Sequence, residues 1–428
     1  MTATTAWRRP AVLYVAAALV VGFAARLLVG LSMNVAADGV HRGFDFYGFM
    51  ADHVLDGRGL YWDFYDDLGA KWANRGPLYP LVVAASRFAF GRGSPAPVVA
   101  VQAAVGALGC LVPAALAARW GGTRAAVIAA WTAALWPYWV VLDTGLVEHV
   151  VYAPLVGLAV LLSLRAADAD GPLFGAVAGV VAGLATLARL TFGATAALLC
   201  VVLALRTPRV ARAALFVAGV VVALAPWIVR NRAVTGEWTL GTDGGRAMWI
   251  ARSAEAYALH PEASIDDAER AVFKRLTPDE WRAMRDRNDD ESAQDALFFG
   301  RAVASIEADP GRAAWGGLRN AAALWSPIVN PLTNRVGAER ASAAKVVVFA
   351  VSALLLLGGV VAAALGVPRI RADLPTCAAA AASFTLVAAL FWAESRYLAP
   401  LHGMGIAALG AWIAEVVAAR GDGTDATA

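Results

Sequence analysis

Charge is what this chain lacks most. Only 16% of its 428 residues are charged and 59% are hydrophobic, which is too apolar for a water-soluble protein of this length. Cysteine is almost missing too. Cys110, Cys200 and Cys377 each sit inside an apolar run. They have no metal-ligand spacing and no paired framework, so they read as small buried hydrophobes. That excludes a disulfide scaffold and a cysteine-held metal. Lysine is scarce beside arginine, a bias that carries no functional weight. No repeat of fixed period is visible, and no low-complexity tract beyond the short tail after Arg420. The net charge of +3 says little, because in such chains the position of charge matters more than its sum.

What is present is a series of long apolar runs, and a run of about 20 residues crosses a bilayer as a helix. They fall at about 11–33, 97–118, 125–141, 150–164, 173–188, 192–205, 211–228, 346–366, 375–392 and 397–418. The first follows a short basic start, "MTATTAWRRP". It is longer than a signal-peptide core and no convincing cleavage site follows it, so it reads as a retained span. A further run, "PLYPLVVAASRFAFG" at 77–91, is short, begins with two prolines and carries Arg87. If it lies on the membrane surface, Arg8, Arg9, Arg119, Arg124, Arg165, Arg206, Arg209, Arg212, Arg369, Arg371 and Arg420 all reach the cytoplasmic side. If it spans, most of them move outside. Cytoplasmic loops collect Lys and Arg, so 77–91 is expected to be an interfacial helix.

The expected architecture is therefore an all-α polytopic membrane protein. It has about ten spans, both termini inside, an interfacial helix and two large extracytoplasmic segments. Residues 1–428 form one integral membrane domain, with the outer segments at about 34–96 and 229–345. The second holds about half of the acidic residues. Its stretch from Pro261 to Asp295 reads as a charged amphipathic excursion. Another helix follows, interrupted at Asp309-Pro310, and its Trp315 and Trp325 suit a membrane–water interface.

With that topology the conspicuous polar residues at the span ends collect on the outer face: Asp45, Arg75, Glu148, His149, Arg189, Arg230, Asn231, Glu394, Arg396 and Tyr397. Asp45 precedes "FYGFMADHVLDG", a short amphipathic helix with Phe46, Phe49, Met50 and Val54 on one side and Gly57 as its stop. It sits where an N-cap belongs; a cap and a rigidly held catalytic carboxylate are compatible readings. Asp52 and Asp56 lie on the polar, solvated side. Arg75, in "KWANRGPLYP", either faces lipid headgroups or binds phosphate, for which a guanidinium fork is well suited. Glu148, in "DTGLVEHVVYAP", stands at the start of a span, where a carboxylate needs a polar cavity or a partner. His149 alone is no metal site. Arg189, Arg230 and Arg396 could each snorkel, but together with Arg75 they look like an anion-binding wall.

In order, these elements resemble the type C glycosyltransferases. An acidic residue follows the first span in an outer aromatic helix ending in Gly. A basic-x-Pro-Leu element comes next, then an acidic residue after the third span. "PWIVRN" precedes a large outer loop and "SRYLAP" lies near the end. The nearest branch is the one containing protein O-mannosyltransferases and the lipid A aminoarabinose transferases. The resemblance covers most of the chain, except about 250–300. It implies that Asp45 is the general base and that Arg75 and Arg230 are donor-phosphate ligands, joined by Arg189 and Arg396. It implies that Glu148 lies in the substrate site, where Asn231 and Tyr397 are expected to join it. Many members have Lys-Pro-Pro where this chain has Arg75-Gly76-Pro77. Some carry an acidic residue implicated in metal binding where this chain has Asn74, so no metal and no other cofactor is expected.

The implied activity is inverting transfer of a sugar from a polyprenyl-phosphate donor to an acceptor hydroxyl on a lipid, glycan or protein. The implied location is the extracytoplasmic face of a bacterial cytoplasmic membrane, with membrane lipids as surroundings and no nucleic acid. A lipid-linked substrate transporter or flippase is the alternative. Such proteins often show internal repeats and binding groups near the bilayer midplane; here no halves match and the polar residues lie at one surface. A non-catalytic membrane subunit is a third reading.

Overall fold

The computed structural model describes residues 8–34, 46–63, 69–168, 173–206, 210–259, 265–287, 290–326 and 343–424. Within them the chain is all-α, with one isolated antiparallel bridge between Trp62 and Lys71. The helices are α1 (Arg8–Asn34), α2 (Phe46–Leu55), α3 (Leu78–Phe90), α4 (Ala96–Gly109), α5 (Leu111–Ala134), α6 (Pro137–Leu142), α7 (His149–Asp168), α8 (Leu173–Ala188), α9 (Phe192–Arg206) and α10 (Val210–Thr235). The large segment after α10 holds α11 (Gly244–Arg252), α12 (Ala254–Leu259), α13 (Ile265–Phe273), α14 (Pro278–Arg285), α15 (Glu291–Ala308) and α16 (Pro310–Leu324). The chain ends with α17 (Ala343–Gly366), α18 (Pro368–Leu390), a 3-10 turn (Ser395–Leu398) and α19 (Ala399–Thr424).

Seven helical runs among the described residues are long and apolar enough to cross a membrane, fewer than the ten spans expected. The difference has two sources. Leu173–Ala188 and Phe192–Arg206 are too short to count among them. The expected pair 97–118 and 125–141 forms one run, Ala96–Ala134. That run is not straight. Arg26 of α1 donates to the Ala134 carbonyl at 2.9 Å, and a side chain on Gly106 would meet Arg26 Nε at 2.8 Å. In one continuous helix those two residues would be about 42 Å apart at 1.5 Å per residue. The chain therefore doubles back, and it does so at Gly122, whose φ of 74° breaks the helix. The second arm stops at Ala134, short of 141, because Pro137 opens a separate turn of helix.

The run at 77–91 becomes α3, only 13 residues long. At about 20 Å it is shorter than the roughly 30 Å hydrocarbon core. It exposes Leu81, Phe88 and Phe90 and buries Tyr79, Val83 and Ala84. Helix α2 packs on it through Tyr47, Met50 and Ala51. Phe49, expected on that same side, is 46% exposed, because the buried stripe follows 47, 50, 51 and 54. Asp52 and Asp56 are not simply solvated. Arg87 of α3 donates to Asp52 and to the Gly48 carbonyl, and Arg92 reaches Asp56. Gly57 ends the helix as expected, at φ 72°.

The bundle has two distinct ends. Helices α8 and α10 cross so closely that a side chain on Gly179 would lie 2.0 Å from the Phe216 carbonyl oxygen, the small-residue packing that holds apolar helices together. This delivers Arg189 and Arg230 to one end. At the other end Arg119 pairs with Asp373 at 2.6 Å and Asp168 at 2.6 Å, and Arg206 reaches Asp373 at 3.4 Å. The stretch expected as an amphipathic excursion folds over α11 around Trp249, Ile250, Phe273, Met284 and Phe298. Asp309 caps α16 by accepting from the Arg312 amide at 2.9 Å.

Candidate functional site

The segment Lys71–Pro77 is the hinge of the site. A Glu291 carboxylate on α15 accepts the Trp72 and Ala73 amides at 3.0 and 2.9 Å, and Thr242 donates to it at 3.1 Å. Lys71 bonds Gln294 of the same helix. Past this clamp Gly76 lies against the end of α8, where a Cβ would stand 2.2 Å from the Leu187 carbonyl oxygen. Only glycine permits that approach, and it sets Arg75 beside the start of the loop that carries Arg189.

Arg75 pairs with Asp243. Asp243 also accepts from Asn74 at 3.0 Å and from Arg246 at 2.9 Å, and Arg246 continues to Glu269. Burial alone would raise the Asp243 carboxyl, but Arg75 and Arg246 outweigh it and hold it at about 2. Asp243 and Arg246 lie in the "GTDGGR" stretch of the large loop, which sequence reasoning passed over. A Gly-rich turn carrying a carboxylate was the available signal.

The second group forms around Glu148. Tyr47 of α2 donates to it at 2.9 Å and Arg189 at 3.0 Å. The His149 ring lies 3.9 Å from the same carboxylate. Arg189 stacks over the Tyr397 ring at 4.1 Å, and Arg396 over the same ring at 5.4 Å. Arg396 is paired with the buried Glu394 at 2.6 Å. Burial pushes the Glu148 carboxyl up, while His149, Arg189 and the Tyr47 hydrogen bond pull it down to about 2. Glu148 thus holds Arg189 and the Tyr47 hydroxyl together. Both Arg75 and Arg189 are close enough to act on the Tyr47 phenol, so the two groups are neighbours. Tyr47 was not singled out from the sequence, where it was one aromatic among several.

Of the residues expected in the site, Arg75, Glu148, Arg189, Arg396 and Tyr397 thus come together at one end of the bundle. Arg75, Arg189 and Arg396 keep 26%, 22% and 27% of their side chains exposed. A guanidinium has five N–H donors, and the paired carboxylates fix its orientation. Arg230 and Asn231 have other partners. Arg230 donates to the Leu60 and Trp72 carbonyls and to Asn231, and stacks over Trp227 at 4.8 Å. Asn231 is fully buried and donates to the Thr239 carbonyl at 3.0 Å. The structure therefore uses both to fasten the loops around the site. Asp45 lies outside the described residues, immediately before α2. Among the described residues no group of three His, Cys, Asp or Glu could hold a metal ion.

No protein-family model matches the chain, and no curated protein matches it either. Solved structures do. The oligosaccharyltransferase of Archaeoglobus fulgidus, crystallised with a tethered acceptor peptide containing the NVT sequon, matches over 96% of this chain and 50% of its own. The TM-score is 0.55 and the identity 14%, which is likeness of fold. The chain thus spans about half the length of that protein. The same archaeal protein with an inhibitory peptide and dolichol-phosphate matches at a TM-score of 0.49 and 15% identity, over 94% of this chain and 50% of its own. ArnT from Cupriavidus metallidurans, bound to undecaprenyl phosphate, matches over 96% of this chain and 79% of its own, at a TM-score of 0.43 and 19% identity.

Proposed function

We propose that this chain is an inverting membrane glycosyltransferase of the type C class. It moves a sugar from a polyprenyl-phosphate donor to an acceptor hydroxyl on a lipid, glycan or protein, on the extracytoplasmic face of a bacterial cytoplasmic membrane. The observation that carries the reading is the convergence of Arg75, Arg189 and Arg396 around the Tyr47–Glu148 pair at one end of the bundle. Three oriented, partly exposed guanidinium groups at the end of an apolar bundle suit a phosphate whose tail lies in the bilayer. The fold likeness to an oligosaccharyltransferase and the ordered motifs from Asp45 to "SRYLAP" agree with it.

The donor lipid lies along the spans with its phosphate against these arginines. Asp45, at the head of α2, takes the proton of the acceptor hydroxyl. The acceptor oxygen bonds to the anomeric carbon as the bond from that carbon to the phosphate oxygen breaks. The electron pair leaves with polyprenyl phosphate, whose growing charge the arginines stabilise. One displacement inverts the anomeric centre. Arg230 serves this site indirectly, by holding Leu60 and Trp72 against α10.

The test is to incubate membranes holding the protein with a panel of radiolabelled polyprenyl-phosphate sugars and to extract the products. Label passing from donor to acceptor with release of polyprenyl phosphate is the expected result. Movement of intact donor across the bilayer without transfer of its sugar would replace the reading with a lipid transporter.

A further inference from the structure

Helix α16 is amphipathic the wrong way round for a water-facing element. Its exposed stripe is Ala314, Trp315, Leu318, Ala322 and Trp325, a helical face of apolar side chains at i, i+4 and i+7 spacing. Trp315 is 57%, Leu318 62% and Trp325 44% exposed. Its polar residues turn inward instead. Arg312 donates to the Ser305 carbonyl at 3.1 Å, Arg319 to the Tyr257 carbonyl at 3.1 Å, and Asn320 to the Phe391 carbonyl at 2.8 Å. Turning arginine and asparagine inward while presenting tryptophan and leucine is unfavourable if the outer medium is water. It is favourable if that medium is lipid.

The neighbouring surface points to the same medium. Trp325 donates its indole N–H to Thr385 of α18 at 3.0 Å. Thr385 lies five residues before the end of that helix, about 7.5 Å along its axis. Helix α18 is one of the seven long enough to span, and its Leu386 and Leu390 are 59% and 51% exposed. The apolar stripe of α16 therefore continues the lipid-facing surface of a spanning helix, and ends in a tryptophan below that helix's tip, where an indole suits the headgroup boundary.

We propose that α16 is a lipid-binding element, half sunk in the outer leaflet, that seats the large segment 244–308 on the membrane. Its buried side grips the end of α18: Asn320 holds Phe391, and Arg252 joins the Ala313 carbonyl of α16 to the Ala389 and Leu390 carbonyls. The chain runs directly from there to Glu394, Arg396 and Tyr397. The level of the leaflet thus fixes the height of Arg396. That consequence, unlike the lipid contact itself, rests on the reading of the site given above.

Two measurements test the proposal in lipid nanodiscs with the full chain. Nitroxide labels on Leu318→Cys and on Arg282→Cys, a side chain 73% exposed on the charged α14, are compared with labelled parent as the blank for Cys110, Cys200 and Cys377. The expected result is that the label at 318 collides with dissolved oxygen and is shielded from a water-soluble nickel chelate, and the label at 282 shows the reverse. Equal nickel access at both positions would overturn the lipid seat. In the second measurement, Leu318→Glu should transfer sugar from bilayer-embedded donor more slowly than parent, and Leu318→Trp should match parent. Parent-like transfer by Leu318→Glu would remove the link to Arg396. A parent that transfers nothing would count against the glycosyltransferase reading alone, because the label comparison needs no donor.

Discussion

The Tyr47 hydroxyl donates a 2.9 Å hydrogen bond to Glu148, joining residues 101 positions apart. Tyr47 lies in the first turn of α2, and Glu148 immediately precedes α7. The bond thus ties the helix that Asp45 precedes to the carboxylate that orients Arg189.

Tyr47→Phe should keep the ring packed edge-on against Tyr79, 4.9 Å away, and remove only the donor. Leaving a buried acceptor short of a partner costs about 1–3 kcal/mol, so thermal unfolding should begin at lower temperature. Transfer should slow more than donor binding weakens, because Arg75 and Arg396 remain. Unfolding at the parent temperature would mean that the bond contributes nothing.

Asp45→Asn separates cap from catalyst. Asparagine is as good an N-cap as aspartate but no base. The expected outcome is parent-like folding and donor binding with a loss of about 10²–10⁴-fold in transfer rate. Asp45→Ser, another competent cap, should behave the same way. Near-normal transfer by the Asn variant removes Asp45 from the mechanism; Glu148, held near pKa 2 by its neighbours, would be a weak replacement.

Arg75 and Arg230 should respond differently to lysine. At Arg75 the charge meets the anion, so Arg75→Ala should weaken donor binding by about 1.5–3 kcal/mol, the worth of a charge-assisted hydrogen bond, and Arg75→Lys by less. At Arg230 the fork spans two carbonyls, Leu60 and Trp72, which an ammonium cannot copy. Arg230→Lys should therefore lower stability nearly as much as Arg230→Ala. Calorimetric titration with polyprenyl phosphate, beside thermal unfolding, distinguishes the two sites; a purely binding defect at Arg230 would restore it to the phosphate wall.

Asp295 of α15 gives a pH signature. Burial pushes its carboxyl up to about 6, with Asp243 and Glu291 adding to the rise against the opposing hydrogen bond from the Gly245 amide. Because the folded value lies above the unfolded one of 3.8, the folded state binds the extra proton. Stability is therefore highest below the unfolded value and falls as pH rises through about 6. Thermal unfolding of the parent should drop across that window, and Asp295→Asn should flatten the drop. An identical profile in both would show that Asp295 titrates normally.

The all-helical membrane class was legible because it follows from composition along the chain. An apolar run either is long enough to span or is not. Gly57 as a stop and the break at Asp309-Pro310 were legible for a similar reason: backbone sterics at glycine and proline are local. The grouping of Phe49 with Met50 failed, because which stripe of α2 is buried depends on where α3 lies.

Tertiary structure alone decided how the arginines are used. Arg75 and Arg230 look alike in sequence, each basic and each a few residues from both a proline and a tryptophan. The fold gives one a carboxylate partner and gives the other two backbone carbonyls. Glycine at 76 likewise acquired meaning only from a carbonyl far from it in the chain. The sequence determined the medium this protein lives in, since partition into a bilayer is a sum over residues. The site was left to the packing, since a guanidinium takes whichever oxygen the fold brings within reach.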